Sequence, residues 1–374
     1  MGAPLSALAS APYARLVGVG GIGTGMFFAL EGVHDLGRNE SRPARLLDVR
    51  DYCKLHIVAH YVAVLLGARP AGDGFQVLPL GRIGDDEAGR RVRQEMSAAG
   101  MDVRFVLELK GRPTTFSVCF QYPDGSGGNI TTSDSASAAL RPAEVEAIAG
   151  LVDARTIALA APEVPLETRH ALLRLAGARG ALRVAALATA EVKEARRCGM
   201  LGDIDLLALN ADEAAAVAGR PFPSGPPEEP FLASCASELG AGNPRIAVVV
   251  TAGRRGAWAL EGGRWTHTPA LEVRVASTAG AGDALLGATV AGLAAGLPLT
   301  SPGEPRQSLA ERPLESAVDL GVLLSAFTVT SPHTIHPGAA PGTLAAFARE
   351  HGVPLGDGLT RLLQRRGAGG TLGG

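Results

Sequence analysis

The sequence predicts an α/β protein with a mostly parallel β-sheet covered by helices on both faces. Short apolar runs typical of buried strands alternate with segments of helical periodicity, as where DIDLLALN (203–210) is followed by ADEAAAVAG (211–219). Parallel strands need such crossover helices, which pack on both faces of the sheet. Two stretches, 27–51 and 110–135, interrupt the alternation, and the second has the pattern of a β-hairpin with a PDG turn. Strands of this kind could cover an active site.

The composition is typical of a globular protein with small soluble partners. The chain has 374 residues, of which 46% are hydrophobic, enough for a sizeable core. The 35 basic and 37 acidic residues give a formal net charge of -2, so we expect no nucleic-acid and no membrane partner. The four cysteines form no C-x-x-C pair, which fits a reducing cytoplasm and argues against a zinc site or a disulfide framework. We also expect no export signal and no membrane span, because Gly or charged residues interrupt the apolar runs.

We expect one folded domain over residues 14–350 and a partly disordered C-terminal tail over 351–374. The proline-rich stretches 220–230 and 298–313 are interpreted as surface loops, because the alternation resumes after each. The glycine-rich end of the chain offers little that would anchor it.

The first strand candidate, LVGVGGIGTG (16–25), contains the G-x-G-x-x-G pattern of dinucleotide-binding turns. Such a turn opens a helix whose amides face the pyrophosphate, but the next segment contains two glycines and reaches Pro43 too soon for a good helix. We therefore interpret the stretch as a glycine-rich strand whose backbone lies close to a ligand or a neighbouring element. A dinucleotide-dependent oxidoreductase stays open as an alternative.

A second glycine cluster, STAGAGD (277–283), runs directly into an apolar helix. Backbone N–H groups and the positive end of the helix dipole meet at such a turn, which predicts a phosphate site. Asp283 would repel phosphate unless it takes part in the chemistry. We predict that it accepts the proton of an attacking hydroxyl, while the amides of Gly280, Ala281 and Gly282 stabilise the transferred phosphoryl group. The alternative is that Asp283 only caps the helix.

Two further turns follow strands of the same predicted sheet. Thr251, Gly253 and Gly256 belong to a turn able to wrap the phosphates of a nucleotide. Asn210 and Glu213 could hold a water-coordinated Mg²⁺ ion near these phosphates, or they could simply cap the helix that follows. Because the carboxyl ends of parallel strands lie at one edge of the sheet, we expect all three turns to converge.

Taken in order, and over most of the chain, these segments resemble the ribokinase-like (PfkB) carbohydrate kinase family. The resemblance rests on GRIGDDEAGRRVRQEMSAAGMDV, RPTTFSVCFQYPDGSGGNI, PEVPLETRHALLRLA, LNADEAAAVAG, VVVTAGRRGAWAL, STAGAGDALLGA and ESAVDLGVLLSAFTVTSP. It implies a three-layer α/β/α sandwich with a mostly parallel central sheet and a small β lid.

The resemblance also implies an activity, namely ATP-dependent transfer of the γ-phosphoryl group to a hydroxymethyl group of a sugar, nucleoside or related metabolite. ATP and Mg²⁺ would be the cofactors, and Asp283 would be the general base. The family's anion hole corresponds to Gly280 through Gly282. Its remaining nucleotide and metal positions correspond to Asn210, Glu213, Thr251, Gly253 and Gly256.

The chain departs from the family where the acceptor is bound. The family usually carries a sugar-binding Asp on its first strand, and the corresponding position here is about Gly25. Gly23 and Gly25 are therefore expected to form only the floor of the acceptor pocket. Asn129, in the hairpin, is a candidate contact from the lid side.

A second departure lies at the helix that follows, where CKLHIV (53–58) replaces a Gly-Gly stretch with an Asn. Lys54 and His56 are candidate substrate contacts, and a cation there would suit an anionic acceptor; the alternative is a solvated helix end. Ser277 stands where the family usually has an Asp near its monovalent-cation loop, which leaves activation by K⁺ open.

Two classes of function remain beside the oxidoreductase. The first is a small-molecule kinase, and the second is a non-catalytic nucleotide- or metabolite-binding regulator on the same fold, which the lost sugar contacts favour. The open edges of the lid strands also suggest a homodimer formed through the lid.

Overall fold

The computed structural model describes residues 12–72, 74–123, 127–226, 228–301 and 306–363. Its strands are β1 (Arg15–Val19), β2 (Gly23–Leu30), β3 (Ala44–Tyr52), β4 (Gln76–Gly84), β5 (Val106–Leu109), β6 (Thr115–Gln121), β7 (Gly127–Thr131), β8 (Thr156–Ala160), β9 (Leu182–Ala186), β10 (Leu206–Asn210), β11 (Ala247–Thr251), β12 (Ala257–Glu261) and β13 (Arg264–Thr268). Its α-helices are α1 (Lys54–Leu66), α2 (Glu87–Ala98), α3 (Pro142–Glu146), α4 (Leu166–Ala178), α5 (Val192–Arg197), α6 (Ala211–Ala218), α7 (Glu229–Gly240), α8 (Ala281–Ala294), α9 (Ala317–Thr328), α10 (Pro341–Glu350) and α11 (Asp357–Leu363).

Nine strands form the central sheet in the order β13-β12-β11-β10-β9-β8-β1-β4-β5. The strands from β11 to β5 pair in parallel, whereas β12 and β13 form an antiparallel edge. This arrangement confirms the predicted mostly parallel sheet.

Helices cover both faces of this sheet. Neighbouring residues of one strand point to opposite faces, so each strand contacts both helix layers. In β1, Leu16 belongs to a core cluster with Leu55 of α1 and Leu320 of α9. Val17, the next residue, packs in another cluster with Leu172 of α4. The molecule therefore has the three layers that the resemblance implied.

A separate four-stranded sheet has the order β3-β2-β6-β7 and forms the lid. The predicted hairpin is present, since β6 pairs with β7 in antiparallel fashion. The lid begins earlier than predicted, because β2 starts at Gly23 rather than near residue 27. Residues 23–25 therefore belong to the lid and not to the first strand of the central sheet.

The first glycine cluster does not open a helix. Strand β1 ends at Val19, and the chain continues after a short turn into β2. A Cβ atom at Gly18 would lie 2.5 Å from Leu55 Cδ1, and one at Gly20 would lie 2.8 Å from Leu55 Cβ. The glycines thus allow α1 to pack closely on β1, which confirms the prediction of close approach to a neighbouring element.

The folded part of the chain continues past residue 350. Helix α11 buries Leu359, Leu362 and Leu363 in the main core. Of the predicted tail, residues 351–363 belong to the folded part, and residues 364–374 lie outside the described residues. Within the described ranges, none of the helices is long and apolar enough to cross a membrane.

Candidate active site

The second glycine cluster forms the N-terminus of α8 as predicted. Gly280 has a φ of 77°, and a Cβ atom there would lie 2.2 Å from the carbonyl oxygen of Thr334, so the turn requires glycine. Asp283 lies in the first turn of the helix. The amide of Ala281 donates to the carbonyl of Thr278 at 3.3 Å, so the predicted anion hole rests mainly on the amides that follow in the first turn.

A second helix begins at the same place. Lys54 is the first residue of α1, and its Nζ lies 3.1 Å from Oδ1 of Asp283. The first turn of α1 contains no acidic residue, so a lysine here adds to the positive end of the helix dipole. Asp283 balances that charge. The N-termini of α1 and α8 therefore converge on one point, an arrangement that favours an anion between them.

Lys54 is not a free cation. Burial lowers its pKa, but the charges of Asp283, Glu213 and Glu163 outweigh the burial and raise the pKa of Lys54 above its ordinary value. About a quarter of its side chain is exposed, and this part lines the main cavity. The structure thus brings the predicted Lys54 to Asp283, where nearby carboxylates already balance its charge.

One cavity of about 840 Å³ joins the predicted phosphate turns. Thr251, Gly253 and Gly256 line it together with Asp283. Gly256 has a φ of 81°, and a Cβ atom there would lie 2.1 Å from the carbonyl oxygen of Thr268, so this turn also depends on glycine. The cavity also has an apolar part of its lining, formed by Leu271, Val273, Val275, Val322, Ala326 and Val329.

Asn210 and Glu213 form a reciprocal cap on α6. The backbone N–H of Asn210 donates to Glu213 Oε2 at 2.8 Å, and the backbone N–H of Glu213 donates to Asn210 Oδ1 at 2.8 Å. Burial raises the pKa of Glu213, while the charge of Lys54 opposes that shift. Both residues also line the cavity, so they cap the helix and face the cavity at the same time. Among the described residues no cluster of three or more His, Cys, Asp or Glu residues could hold a metal ion.

His56 does not reach the cavity. Its side chain is 1% exposed, and its ring packs 4.4 Å from the ring of Tyr52, measured between centroids. Burial holds the pKa of His56 well below its ordinary value, so the imidazole is neutral. The structure therefore does not support His56 as a substrate contact. His56 comes two residues after Lys54 and therefore lies on roughly the opposite side of α1, facing the core.

The three predicted acceptor residues of the lid differ in their surroundings. Gly23 is enclosed, because a Cβ atom there would lie 2.2 Å from the carbonyl oxygen of Thr115. Gly25 pairs with Asp51 of β3. Asn129 is exposed on β7 and pairs with Cys119 of β6. Asn129 is thus exposed, whereas the space beside Gly25 is filled by Asp51 and by the backbone of Ser117.

Two carboxylates that the sequence did not single out as site residues, Glu163 and Asp51, lie close enough to Asp283 to feel its charge. Glu163 follows β8 with a φ of 73°, and a Cβ atom at Gly21 would lie 2.4 Å from its own Cβ. Glu163 is exposed to solvent, but many protein atoms surround its carboxyl group. Burial, assisted by the charge of Asp283, raises its pKa to about 7 against the opposing hydrogen bond from Cys53. Its place at the carboxyl end of a parallel strand was the available signal.

A protein-family model matches most of this chain. The family model described as pfkB family carbohydrate kinase matches residues 58–340, which is more than half of the chain.

Solved structures of the same fold are numerous, and three of them indicate its range. Ribokinase from Thermotoga maritima is 19% identical with a TM-score of 0.66, and the match covers 90% of this chain and 100% of that one. Ribokinase from Cryptococcus neoformans var. grubii serotype A, in complex with ADP, is 22% identical with a TM-score of 0.60 over 90% and 99%. A Burkholderia thailandensis nucleoside kinase in complex with inosine is 16% identical with a TM-score of 0.66 over 92% and 100%.

Proposed function

Since this chain belongs to the pfkB family of carbohydrate kinases, we propose that it transfers the γ-phosphoryl group of ATP to a hydroxymethyl group of a sugar, nucleoside or related small metabolite. The observation that carries the proposal is the position of Asp283. Its carboxylate lies in the first turn of α8, at the point where the phosphate turns meet the N-terminus of α1. The proposed transfer needs a base at this point, because the acceptor hydroxyl must lose its proton where it attacks the phosphoryl group.

The cavity offers a separate place for each part of ATP. The apolar part of the lining suits the adenine ring, and the turn from Thr251 to Gly256 suits the α- and β-phosphates. The γ-phosphate would lie at the N-terminus of α8, where backbone amides and the helix dipole favour negative charge. Mg²⁺, held through water by Glu213 together with the phosphates, would neutralise the charge that develops during transfer.

The residues near Asp283 support proton transfer. An acceptor hydroxyl placed between the lid and α8 would donate its hydrogen bond to the Asp283 carboxylate and pass its proton there as the oxygen attacks phosphorus. Lys54, 3.1 Å from Asp283, adds a positive charge beside the transferred group. Closure of the lid would exclude water, which competes with the acceptor hydroxyl.

Turnover of ATP tests the proposal directly. With Mg²⁺ and K⁺ present, we expect ADP release that depends on one of ribose, fructose, adenosine, inosine or fructose 6-phosphate. Asp283→Asn should lower kcat by roughly 10²- to 10⁴-fold, the usual contribution of a general base. Asp85→Asn, at an exposed carboxylate beside Arg90, serves as the matched control and should leave the rate unchanged. Tight ADP binding with no transfer to any acceptor would instead favour the non-catalytic regulator.

We propose further that two copies associate through the outer face of the lid. Met26, Leu46 and Ile130 are 45%, 57% and 69% exposed, and the pairing of Met26 and Ile130 with Val118 places both on one face. An exposed apolar face of this kind marks an interaction surface. We expect a dimer by light scattering at micromolar concentration and a shift toward monomer in Ile130→Glu. A monomeric wild-type protein would contradict this.

A further inference from the structure

The acid that is missing from β2 has a counterpart on the neighbouring strand. Gly25 and Asp51 are direct partners in the antiparallel pair β2–β3, so any side chain at these two positions would point to the same face of the lid. A Cβ atom at Gly25 would lie 2.5 Å from Oδ2 of Asp51 and 3.2 Å from its Cβ. The Asp51 carboxylate thus occupies the space that a side chain at Gly25 would take.

Asp51 lies in the neighbourhood of the predicted base, Asp283. Burial raises its pKa to about 6, and the charge of Asp283 adds to that shift, which requires the two carboxylates to lie near each other. The thiol of Cys119 donates to Asp51 Oδ2 at 3.4 Å, a weak bond that leaves acceptor capacity on the carboxylate. Asn129 pairs with Cys119 and therefore shares this face of the lid.

The backbone around Asp51 is fixed from the main domain. The carbonyl of Arg50 accepts bonds from the Thr334 amide at 3.2 Å and from the Thr334 hydroxyl at 3.1 Å. Thr334 is also the residue whose carbonyl approaches Gly280. The position of Asp51 is therefore set relative to the turn that opens α8.

We propose that Asp51, projecting from β3 across Gly25, is the side chain that binds hydroxyl groups of the acceptor and selects an uncharged, hydroxyl-rich one. The proposal rests on the kinase function proposed above. An ionised carboxylate accepts hydrogen bonds from two hydroxyls of one molecule, and such charge-assisted bonds are the stronger kind.

The surrounding charges support the selection against anions. The charge of Asp283 acts on both Asp51 and Glu163. The carboxylates that act on Lys54 are Asp283, Glu213 and Glu163. A phosphate or carboxylate on the acceptor would add a further negative charge beside these groups. We therefore expect a neutral acceptor, whereas a cation at position 54 taken by itself would suit an anionic one.

The first test measures the acceptor KM and the ATP KM separately. With the best neutral acceptor among ribose, fructose, adenosine and inosine, Asp51→Asn should raise the acceptor KM by roughly 10- to 100-fold, as expected for loss of bonds to a charged group, and leave the ATP KM unchanged. Asp48→Asn, an exposed carboxylate on the same strand, is the matched control and should change neither value. An unchanged acceptor KM in Asp51→Asn overturns the inference while the kinase function stands. Absence of turnover in the wild type overturns both.

A second variant probes the same space from the facing strand. A Cβ atom in Gly25→Ala would lie 2.5 Å from the Asp51 carboxylate and 2.8 Å from the backbone carbonyl oxygen of Ser117, so this variant should also raise the acceptor KM. In the double variant Gly25→Ala/Asp51→Asn the two effects should not multiply, because both act through the same carboxylate. Multiplying effects would overturn the inference. A preference for fructose 6-phosphate over fructose would overturn the selection against anions.

Discussion

The two ends of the cavity are built in different ways. The proposed phosphate end consists of three turns, 210–213, 251–256 and 276–283, and each is built from a few consecutive residues. The proposed acceptor end combines the backbone at Gly25 with the side chains of Asp51, Lys54 and Glu163, and these residues come from three separate parts of the chain. Phosphate binding is therefore a local property of the sequence, whereas acceptor binding depends on which strands pair.

The first prediction tests the backbone geometry of the phosphate end. Gly280→Ala should lower kcat by roughly 10²- to 10³-fold, because a Cβ atom 2.2 Å from the Thr334 carbonyl displaces the amides that face the transferred phosphoryl group. Gly282→Ala should cost much less, since its Cβ atom would lie 3.6 Å from the nearest atom, Thr251 Oγ1. Steady-state rates of the two purified variants, at matched folding by circular dichroism, make the comparison. Equal losses would show that the strained turn is unimportant.

This local character explains what the sequence could predict. Alternating strands and helices fixed the fold class, and the residues of the three phosphate turns line one cavity as expected. Asp51 could not be recognised, because its role follows from the register of β2 on β3, and register depends on tertiary pairing. His56 was misjudged for a related reason. Helix α1 is buried on nearly all sides, so polarity alone does not reveal the side that faces the cavity.

The second prediction removes the cation that links the two ends. Lys54→Met should lower the free energy of unfolding by about 2–3 kcal/mol, because it leaves Asp283 and its neighbouring carboxylates without a partner. The double variant Lys54→Met/Asp283→Asn should recover part of this loss. Arg90→Gln, which breaks an exposed pair with Asp85, should cost less than about 1 kcal/mol. Urea denaturation at pH 7.5 provides the values, and a loss in Lys54→Met no greater than in Arg90→Gln would contradict the linking role.

The third prediction concerns the buried side of α1, behind the acceptor end. Burial lowers the pKa of His60 to about 4, whereas in the unfolded chain the pKa keeps its ordinary value of 6.5. Between these two pH values the unfolded chain binds a proton that the folded state does not. Stability is then lost as the pH falls from 6.5 toward 4, by about 1 kcal/mol for this residue between pH 8 and pH 5.5. Urea midpoints at the two pH values measure the loss. His60→Gln should reduce the difference, and His34→Gln, at an exposed position, should not.

Glu163 and Asp51, whose pKa values are raised, change stability with pH in the direction opposite to His60. Because the folded-state pKa values of Glu163 and Asp51 lie above their ordinary values, both groups disfavour folding as the pH rises through about 7 and about 6. Glu163→Gln should therefore make the loss of stability on acidification steeper than in the wild type. A shallower loss would show that Glu163 is not held near its protonated form.

The smallest effect is expected at the phosphate end, from monovalent cations. Ser277 stands where the family usually carries an Asp, and its hydroxyl accepts a bond from the Ala279 amide at 3.2 Å, so the loop before α8 is held by its own side chain. Replacing K⁺ by Na⁺ should change kcat by less than about twofold, well below 1 kcal/mol of barrier. Ser277→Asp would supply a carboxylate at this point and should make the rate respond more strongly to K⁺. A large K⁺ response in the wild type would mean that backbone carbonyls alone bind the ion, and the contrast between a backbone-built and a side-chain-built end would then extend to the cation as well.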